Sequence, residues 1–241
     1  MDKKKLVVLC LLSGLAVAAS AADGASILAL SDKKLLPERC SYQLSMVTTD
    51  ANGKANSNLM DGWKSGMDKN VMIERQPARL AGSVHLRKAG VIWTYYSTNK
   101  KVTKIGYQSV FMGSLLNYGD VMASELSVDY DVASMEATDE EYELVLKVKQ
   151  GHEGYDKIAL RIDRKTLLPI RRDYYALSGI LLKSSEFKDI VFKDGSLVSM
   201  RQEFYESVKD QKTVLEYSKI KLLASIPDKY YNEGYISRFG S

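Results

Sequence analysis

The sequence has little sulfur chemistry to offer. Its only cysteines are Cys10 and Cys40. Cys10 falls inside an apolar N-terminal run, so a chain that loses that run keeps one thiol and cannot close an intramolecular disulfide. Stability has to come from packing. Leu9 precedes Cys10 where a lipid-attachment site carries Gly, Ala or Ser, so this thiol is not read as an acylation site. Histidine is equally scarce. His85 lies in a predicted strand and His152 in the loop Gly151-His152-Glu153-Gly154, and neither has metal-ligand spacing to another His or Cys. The patterns H-E-x-x-H, C-x-x-C and G-x-S-x-G are missing. Asp139, Glu140 and Glu141 follow no D-x-D-x-D-G pattern. The chain is read as a binding protein with no catalytic residues, no metal and no cofactor.

Concentrated charge is lacking too. The 34 basic and 30 acidic side chains leave a net charge of +4, which argues against nucleic acid as a partner. One apolar run exists, Leu6 to Ala19, preceded by Lys3, Lys4 and Lys5 and followed by Ala19-Ser20-Ala21. It is shorter than the roughly twenty residues a membrane span needs. Charged start, apolar middle and small-residue end describe a secretory signal peptide over Met1 to Ala21. Its removal takes three lysines and one aspartate and leaves about 220 residues with a net charge near +2. That length suits one β-rich domain over 22–241 and is too short for two typical ones. The mature chain is expected to be exported and soluble.

What the sequence does contain is alternation. In Tyr155 to Phe187, Ile158, Leu160 and Ile162 alternate with charged or small neighbours, placing them on one face of a strand. Asp163 to Thr166 supplies a turn, then Ile170, Arg172 and Tyr174 alternate with Arg171, Asp173 and Tyr175 until Ser178-Gly179 breaks the run, and a third strand follows. Connections this short join antiparallel neighbours. Further strands are predicted around Tyr42 to Met46, then over Leu59 to Ser65, Val71 to Gln76, Leu80 to Arg87, Val91 to Tyr96, Lys101 to Gly106, Tyr142 to Lys149, Val198 to Phe204 and Val214 to Leu222. Short strands with turn residues between them indicate an antiparallel all-β domain of about eleven strands, and no βαβ rhythm is present. Ser26 to Leu36 is expected to form a helix of about two turns before Pro37. Asp129 to Glu141 is acidic and reads as flexible. The tail from Asp228 to Ser241 is expected to pack against an edge or fray.

Gln108 to Leu126 departs from alternation. It is a loop with apolar content, and loops normally lie in water, so Phe111, Met112, Leu115 and Leu116 must fold inward or cover something. Trp93 and Tyr95 share one strand face with Val91. Such a face serves equally as filled core or as the wall of a ligand site.

Four stretches resemble one family, the LolA-like outer-membrane lipoprotein-sorting proteins related to the LolA and LolB carriers. Pro77, Gly82 and Ile92-Trp93-Thr94-Tyr95 are similar to its proline, glycine and W-x-Y strand. Ser109-Val110-Phe111-Met112-Gly113-Ser114 is similar to its S-F-M-G-S signature. Ile162 to Pro169 with Tyr174-Tyr175 and Gly179-Ile180-Leu181-Leu182-Lys183 is the most specific match, and Thr213-Val214-Leu215-Glu216 resembles its R-T-V-L-E strand. After the signature the chain carries Leu115, Leu116, Asn117, Tyr118, Gly119 and Asp120, a more apolar loop than the family's. No arginine is matched to the one that tethers the lid in the LolA carriers. The resemblance implies a strongly curved antiparallel sheet forming an incomplete barrel, with short helices and loops as a lid over an apolar cavity. It implies a periplasmic carrier of lipoprotein acyl chains or phospholipid, with an inner-membrane transporter and an outer-membrane acceptor as partners. Trp93, Tyr95, Phe111, Met112, Leu115, Leu116, Ile158, Leu160 and Tyr174 are its candidate cavity and lid residues. The alternative is an interaction or sensor module that partners an envelope protein and carries no lipid.

Overall fold

The computed structural model describes residues 13–122, 125–193, 196–206 and 208–239. The charged start of the expected signal peptide, and its apolar residues up to position 12, lie outside them. One antiparallel sheet of 13 strands makes up most of the molecule. Six strands come first: β1 (Arg39–Thr49), β2 (Ala55–Ser65), β3 (Lys69–Gln76), β4 (Val84–Lys88), β5 (Val91–Tyr96) and β6 (Lys101–Ile105). Seven follow: β7 (Tyr130–Ala137), β8 (Glu141–Val148), β9 (Lys157–Asp163), β10 (Pro169–Tyr175), β11 (Leu181–Lys193), β12 (Ser196–Glu206) and β13 (Gln211–Leu222). Every strand pairs with its sequence neighbour except across one seam, where β1 pairs with β13, and the sheet ends on β6 at one edge and β7 at the other. It is an incomplete barrel.

That topology creates the lid. Because β6 and β7 are consecutive in sequence and lie at opposite edges, the segment between them must cross from edge to edge. It carries two short helices, α2 (Tyr118–Met122) and α3 (Leu126–Asp129). The N-terminal helix α1 (Ser13–Asp32) packs against β7 and α3.

Alternation sorts the sheet's side chains into two cores. The inner face gathers Tyr42, Leu44, Met46, Met60, Met72, Ile92, Leu144, Leu146, Ile158, Leu160, Ile162, Tyr174, Phe204 and Leu215 with the lid residues Phe111 and Leu116. The outer face of β3 to β5 gathers Val71, Ile73, Val84, Leu86 and Tyr95 beneath Tyr231 and Ile236. The C-terminal tail, expected at an edge, instead covers this outer cluster with two 3₁₀ turns, Asp228–Tyr231 and Ile236–Arg238.

Several expectations need correction. The helix expected over Ser26 to Leu36 starts earlier, in the alanine-rich Ser13 to Ala22 stretch that favours helix, and ends at Asp32. There the Asp32 side chain turns to α3. Leu80 to Ser83 belong to a turn, with Leu80 N–H donating to the Pro77 carbonyl, and the strand begins at Val84. The acidic stretch expected to be flexible forms β7. Its register with β8 slips between Val132 and Ser134, so the extra residue Ala133 shifts Met135 onto the inner face with Tyr130 and Val132 and breaks the period of two.

Tyr42 shows how tightly the inner layer fits. Directly opposite Gly62 across the β1–β2 ladder, its ring would lie 2.2 Å from a methyl group added there, and its hydroxyl donates to Asn70 Oδ1 at 2.8 Å. Gly62→Ala is therefore expected to cost about 1–3 kcal/mol, lowering the melting temperature by several degrees, and a calorimetric scan showing no change would mean the ring moves aside freely.

Candidate functional site: the lid and its latch

The lid begins at Tyr107, whose N–H donates to Glu153 Oε2 at 2.8 Å and whose hydroxyl donates to Asp129 Oδ2 at 2.9 Å. These bonds bridge the β6 side of the sheet to the turn before β9 and to the end of α3. The loop then doubles back on itself. Phe111 N–H donates to the Leu116 carbonyl at 2.8 Å, and Ser114 Oγ donates to the Phe111 carbonyl at 2.7 Å. Met112 and Gly113 turn through positive φ, +52° and +69°. Asn117 and Asp120 cap α2 reciprocally: Asp120 N–H donates to Asn117 Oδ1, and Asn117 N–H to Asp120 Oδ2.

The doubled loop drives Phe111 and Leu116 into the inner core, where each is 1% exposed or less. Phe111 packs edge-on against His85 and Tyr118, with ring centroids 5.1 and 4.9 Å away. Its floor is polar. His85 is fully buried, with Nε2 3.3 Å from Glu74 Oε1 and Nδ1 3.1 Å from Thr94 Oγ1. His152, by contrast, is half-exposed and meets Asp129 at 2.9 Å. Both histidines thus have structural partners.

The lid is closed by buried charge. Asp120 is ion-paired with Lys183 of β11, and both side chains are almost entirely buried. The Tyr155 hydroxyl donates to Asp120 at 3.0 Å, and burial together with the Asp120 charge pushes that hydroxyl far above its ordinary range, keeping it a donor. The Lys183 ammonium also reaches the Leu115 carbonyl at 3.3 Å and sits 5.1, 5.6 and 5.9 Å from the ring centroids of Tyr155, Tyr174 and Phe204, a cage suited to a desolvated cation. Two further ties hold the lid's C-terminal half. Lys64 pairs with Glu125 at 3.1 Å in a buried setting. Asp32 accepts the N–H groups of Leu126 and Ser127 at 3.0 and 2.7 Å. Beside Lys64, burial pushes the Cys40 thiol up to about 11, which leaves it unreactive.

The candidate residues divide between the two cores. Phe111, Leu116, Ile158, Leu160 and Tyr174 lie together in the inner one, with Met112 and Leu115 packed against it. Trp93 and Tyr95 lie in the outer one, beside the tail. The shared face read from alternation is present, but it is the opposite face: Ile92 and Thr94 of the same strand turn inward to Phe111 and Tyr118. Sequence reading did not find Asp120, Tyr155, Lys183, Lys64, Glu125 or Asp32. Only the N-x-x-D spacing of Asn117 and Asp120 carried a local signal.

With the lid closed, the crevice between Leu35, Leu36, Phe187, Gln202 and Tyr217 holds about 20 Å³, enough for about one water, whereas a more open cleft of about 420 Å³ lies at the lid's edge between Ile92, Ile105, Tyr107, Asp129, His152 and Glu153. Ligand pockets usually offer roughly 300–1,000 Å³.

Several solved structures share this fold. A LolA superfamily protein from Nitrosomonas europaea is 22% identical with a TM-score of 0.78, covering 90% of this chain and 99% of its own. A DUF1329 family protein from Desulfovibrio piger is 19% identical with a TM-score of 0.78, over 90% and 99%. A putative outer membrane lipoprotein-sorting protein domain from Vibrio parahaemolyticus is 20% identical with a TM-score of 0.76, over 90% and 100%. The fold is that of the LolA-like proteins, as the four sequence stretches implied. A family model described as "Uncharacterized protein" matches residues 66–238, and the chain belongs to that family. No curated protein is a significant match.

Two expectations follow from the ties. Lys183→Met leaves the Asp120 carboxylate buried beside Tyr155, and removal of one partner from such a pair typically costs about 3–5 kcal/mol. Adding Asp120→Asn should recover much of that loss in urea denaturation, whereas additive losses would mean the two groups do not act as a pair. Burial pushes the Asp32 carboxyl up from 3.8 to about 6, against the opposing pull of Arg172 and the two amides. The folded protein therefore holds that proton more tightly than the unfolded chain. The associated stability is present below pH 4 and lost as pH rises through 6, on the order of 2–3 kcal/mol. Asp32→Asn should remove that slope, and equal slopes in both proteins between pH 4 and 7 would contradict the assignment.

Proposed function

We propose that the mature protein is a periplasmic carrier that holds the acyl chains of a lipoprotein or phospholipid against the inner face of its sheet. Met1 to Ala21 would act as the export signal, and among the described residues no helix is long and apolar enough to cross a membrane. The observation that carries the reading is the lid: an apolar loop, contributed by the edge-to-edge crossing, fills the inner face with Phe111 and Leu116 and is held there by polar ties. An acyl chain removes about 0.8 kcal/mol of apolar exposure per CH₂ when it leaves water. A cavity that stayed open would expose comparable area when empty. A lid that occupies the site until cargo replaces it avoids that exposure and keeps net affinity modest, because the cargo gains only the difference between its own contacts and those of the lid. Met112 and Leu115 would leave with Phe111 and Leu116, while Ile158, Leu160 and Tyr174 would remain as the wall. A transporter in the inner membrane and an acceptor in the outer membrane would load and unload such a carrier.

The packed interior favours a second reading, an interaction or sensor module with the same fold and no cargo. Native mass spectrometry of protein drawn from an envelope extract, with solvent extraction of what accompanies it, separates the two. Stoichiometric phospholipid or acylated peptide is expected. Replacing Phe111 and Met112 by Ser weakens the lid's competition for the inner face and should raise lipid retention several-fold while circular dichroism stays that of a folded β domain, and unchanged retention would contradict the exchange of lid for cargo. A cargo-free mass together with no uptake of a fluorescent fatty acid would favour the module.

A further inference from the structure

The turn that joins β10 to β11 stands out from the rest of the surface. Leu177 is 87% exposed and Ile180 61%, although the turn is well formed, with Gly179 N–H donating to the Ala176 carbonyl at 2.8 Å and Ala176 N–H to the Ile180 carbonyl at 3.0 Å. Leu181 and Leu182 begin β11 and are exposed to the same degree, 38% and 39%. The β10–β11 register slips between Tyr174 and Tyr175, leaving Leu182 as the extra residue of a bulge, and the tip is apolar from its end into the first residues of β11. The turn between β12 and β13, at the same end of the sheet, carries Val208, 80% exposed. The residue after Leu182 on β11 is Lys183, the cation that closes the lid. The apolar tip is therefore the rim of the lidded mouth.

We propose that this hairpin tip docks the protein onto an anionic lipid bilayer, inserting Leu177, Ile180, Leu181 and Leu182 between the headgroups. The inference deepens the carrier reading and rests on it for its purpose, since it sets the mouth at the membrane where cargo enters or leaves. A protruding apolar end with four exposed aliphatic side chains is covered from every side by a hydrocarbon medium. The flanking charge fits the same occupant. Lys157 lies 4.0 Å from the centroid of Tyr175, which is paired with Leu181, and Lys147 stands opposite Lys157 on β8. Among the described residues neither lysine has a carboxylate within ion-pair distance. Lysine and tyrosine beside an apolar wedge suit the headgroup layer: the ammonium meets lipid phosphate, and the ring bridges the apolar and polar zones.

The test is flotation of the mature protein, recovered from the periplasm, with vesicles of phosphatidylethanolamine and phosphatidylglycerol at 3:1. Lipid occupancy is measured by native mass spectrometry on the same preparations. The wild type is expected to float, and the Leu177→Ser, Ile180→Ser and Leu182→Ser triple variant to lose at least tenfold in bound fraction with an unchanged urea midpoint, because the altered side chains are exposed. A Leu177→Trp variant should shift its emission to the blue on adding these vesicles. A wild type that stays at the bottom of the gradient, or a triple variant that floats as well as it does, overturns the proposal. So does a dimer in sedimentation velocity that the triple variant abolishes while neither protein floats. Hairpin-dependent flotation with no lipid occupancy would sustain the docking surface and remove the carrier reading. Occupancy with hairpin-independent flotation would do the reverse.

Discussion

An open sheet with a large apolar inner face needs a cover, and here the connection between β6 and β7 supplies it. The two strands are neighbours in the chain and occupy opposite edges of the sheet, and the segment that joins them lays Phe111 and Leu116 into the inner core. Everything around the candidate site follows from that crossing. The crossing segment is apolar where it meets Met72, Ile92 and Leu144 of the inner core, and it becomes polar where it meets Lys183, Lys64 and Asp32 at the rim. The histidine, glutamate and threonine beneath Phe111 are buried because the lid lies over them.

Holding the cover with buried ions rather than with more leucine has a physical effect on reversibility. Desolvating Asp120 and Lys183 costs several kcal/mol, and their attraction with the Tyr155 hydrogen bond and the aromatic cage offsets it. The net holding force is then small, while geometry is strict, since the pair is favourable only when every partner is in place. In the carrier proposed above, both groups would regain water as the lid lifts. Apolar contacts would have held more strongly and with less register. A closure assembled in this way is specific in position and moderate in strength, which is what exchange between a lid and a cargo needs.

Much of this was legible in the sequence, unevenly. The meander from Ile158 through β11 could be read because its alternation is clean and its turns are short. The apolar lid could be read because Phe111, Leu115 and Leu116 sit where a surface loop would be polar. β7 could not, since the bulge at Ala133 erases the period that identifies a strand. For Trp93 and Tyr95, alternation fixes which residues share a face and is silent on which face is inward. That depends on the direction of curvature and on a tail more than a hundred residues away. The latch was invisible for a related reason. Asp120 and Lys183 are 63 positions apart, and neither has a local pattern that marks it as buried.

The β1–β13 seam bears on how the molecule is made. All other strand pairs join sequence neighbours and close through local turns, so each half of the sheet can grow as the chain emerges. The seam joins residues as distant as Cys40 and Leu222, and β1 has no partner on that side until nearly the last strand exists. An emerging chain therefore consists of hairpin stacks with an open central edge, and the inner face acquires its full curvature only on completion. Closing that seam carries the largest loop-closure entropy of any pairing in the sheet, so its two halves are joined by the least local contact the fold contains.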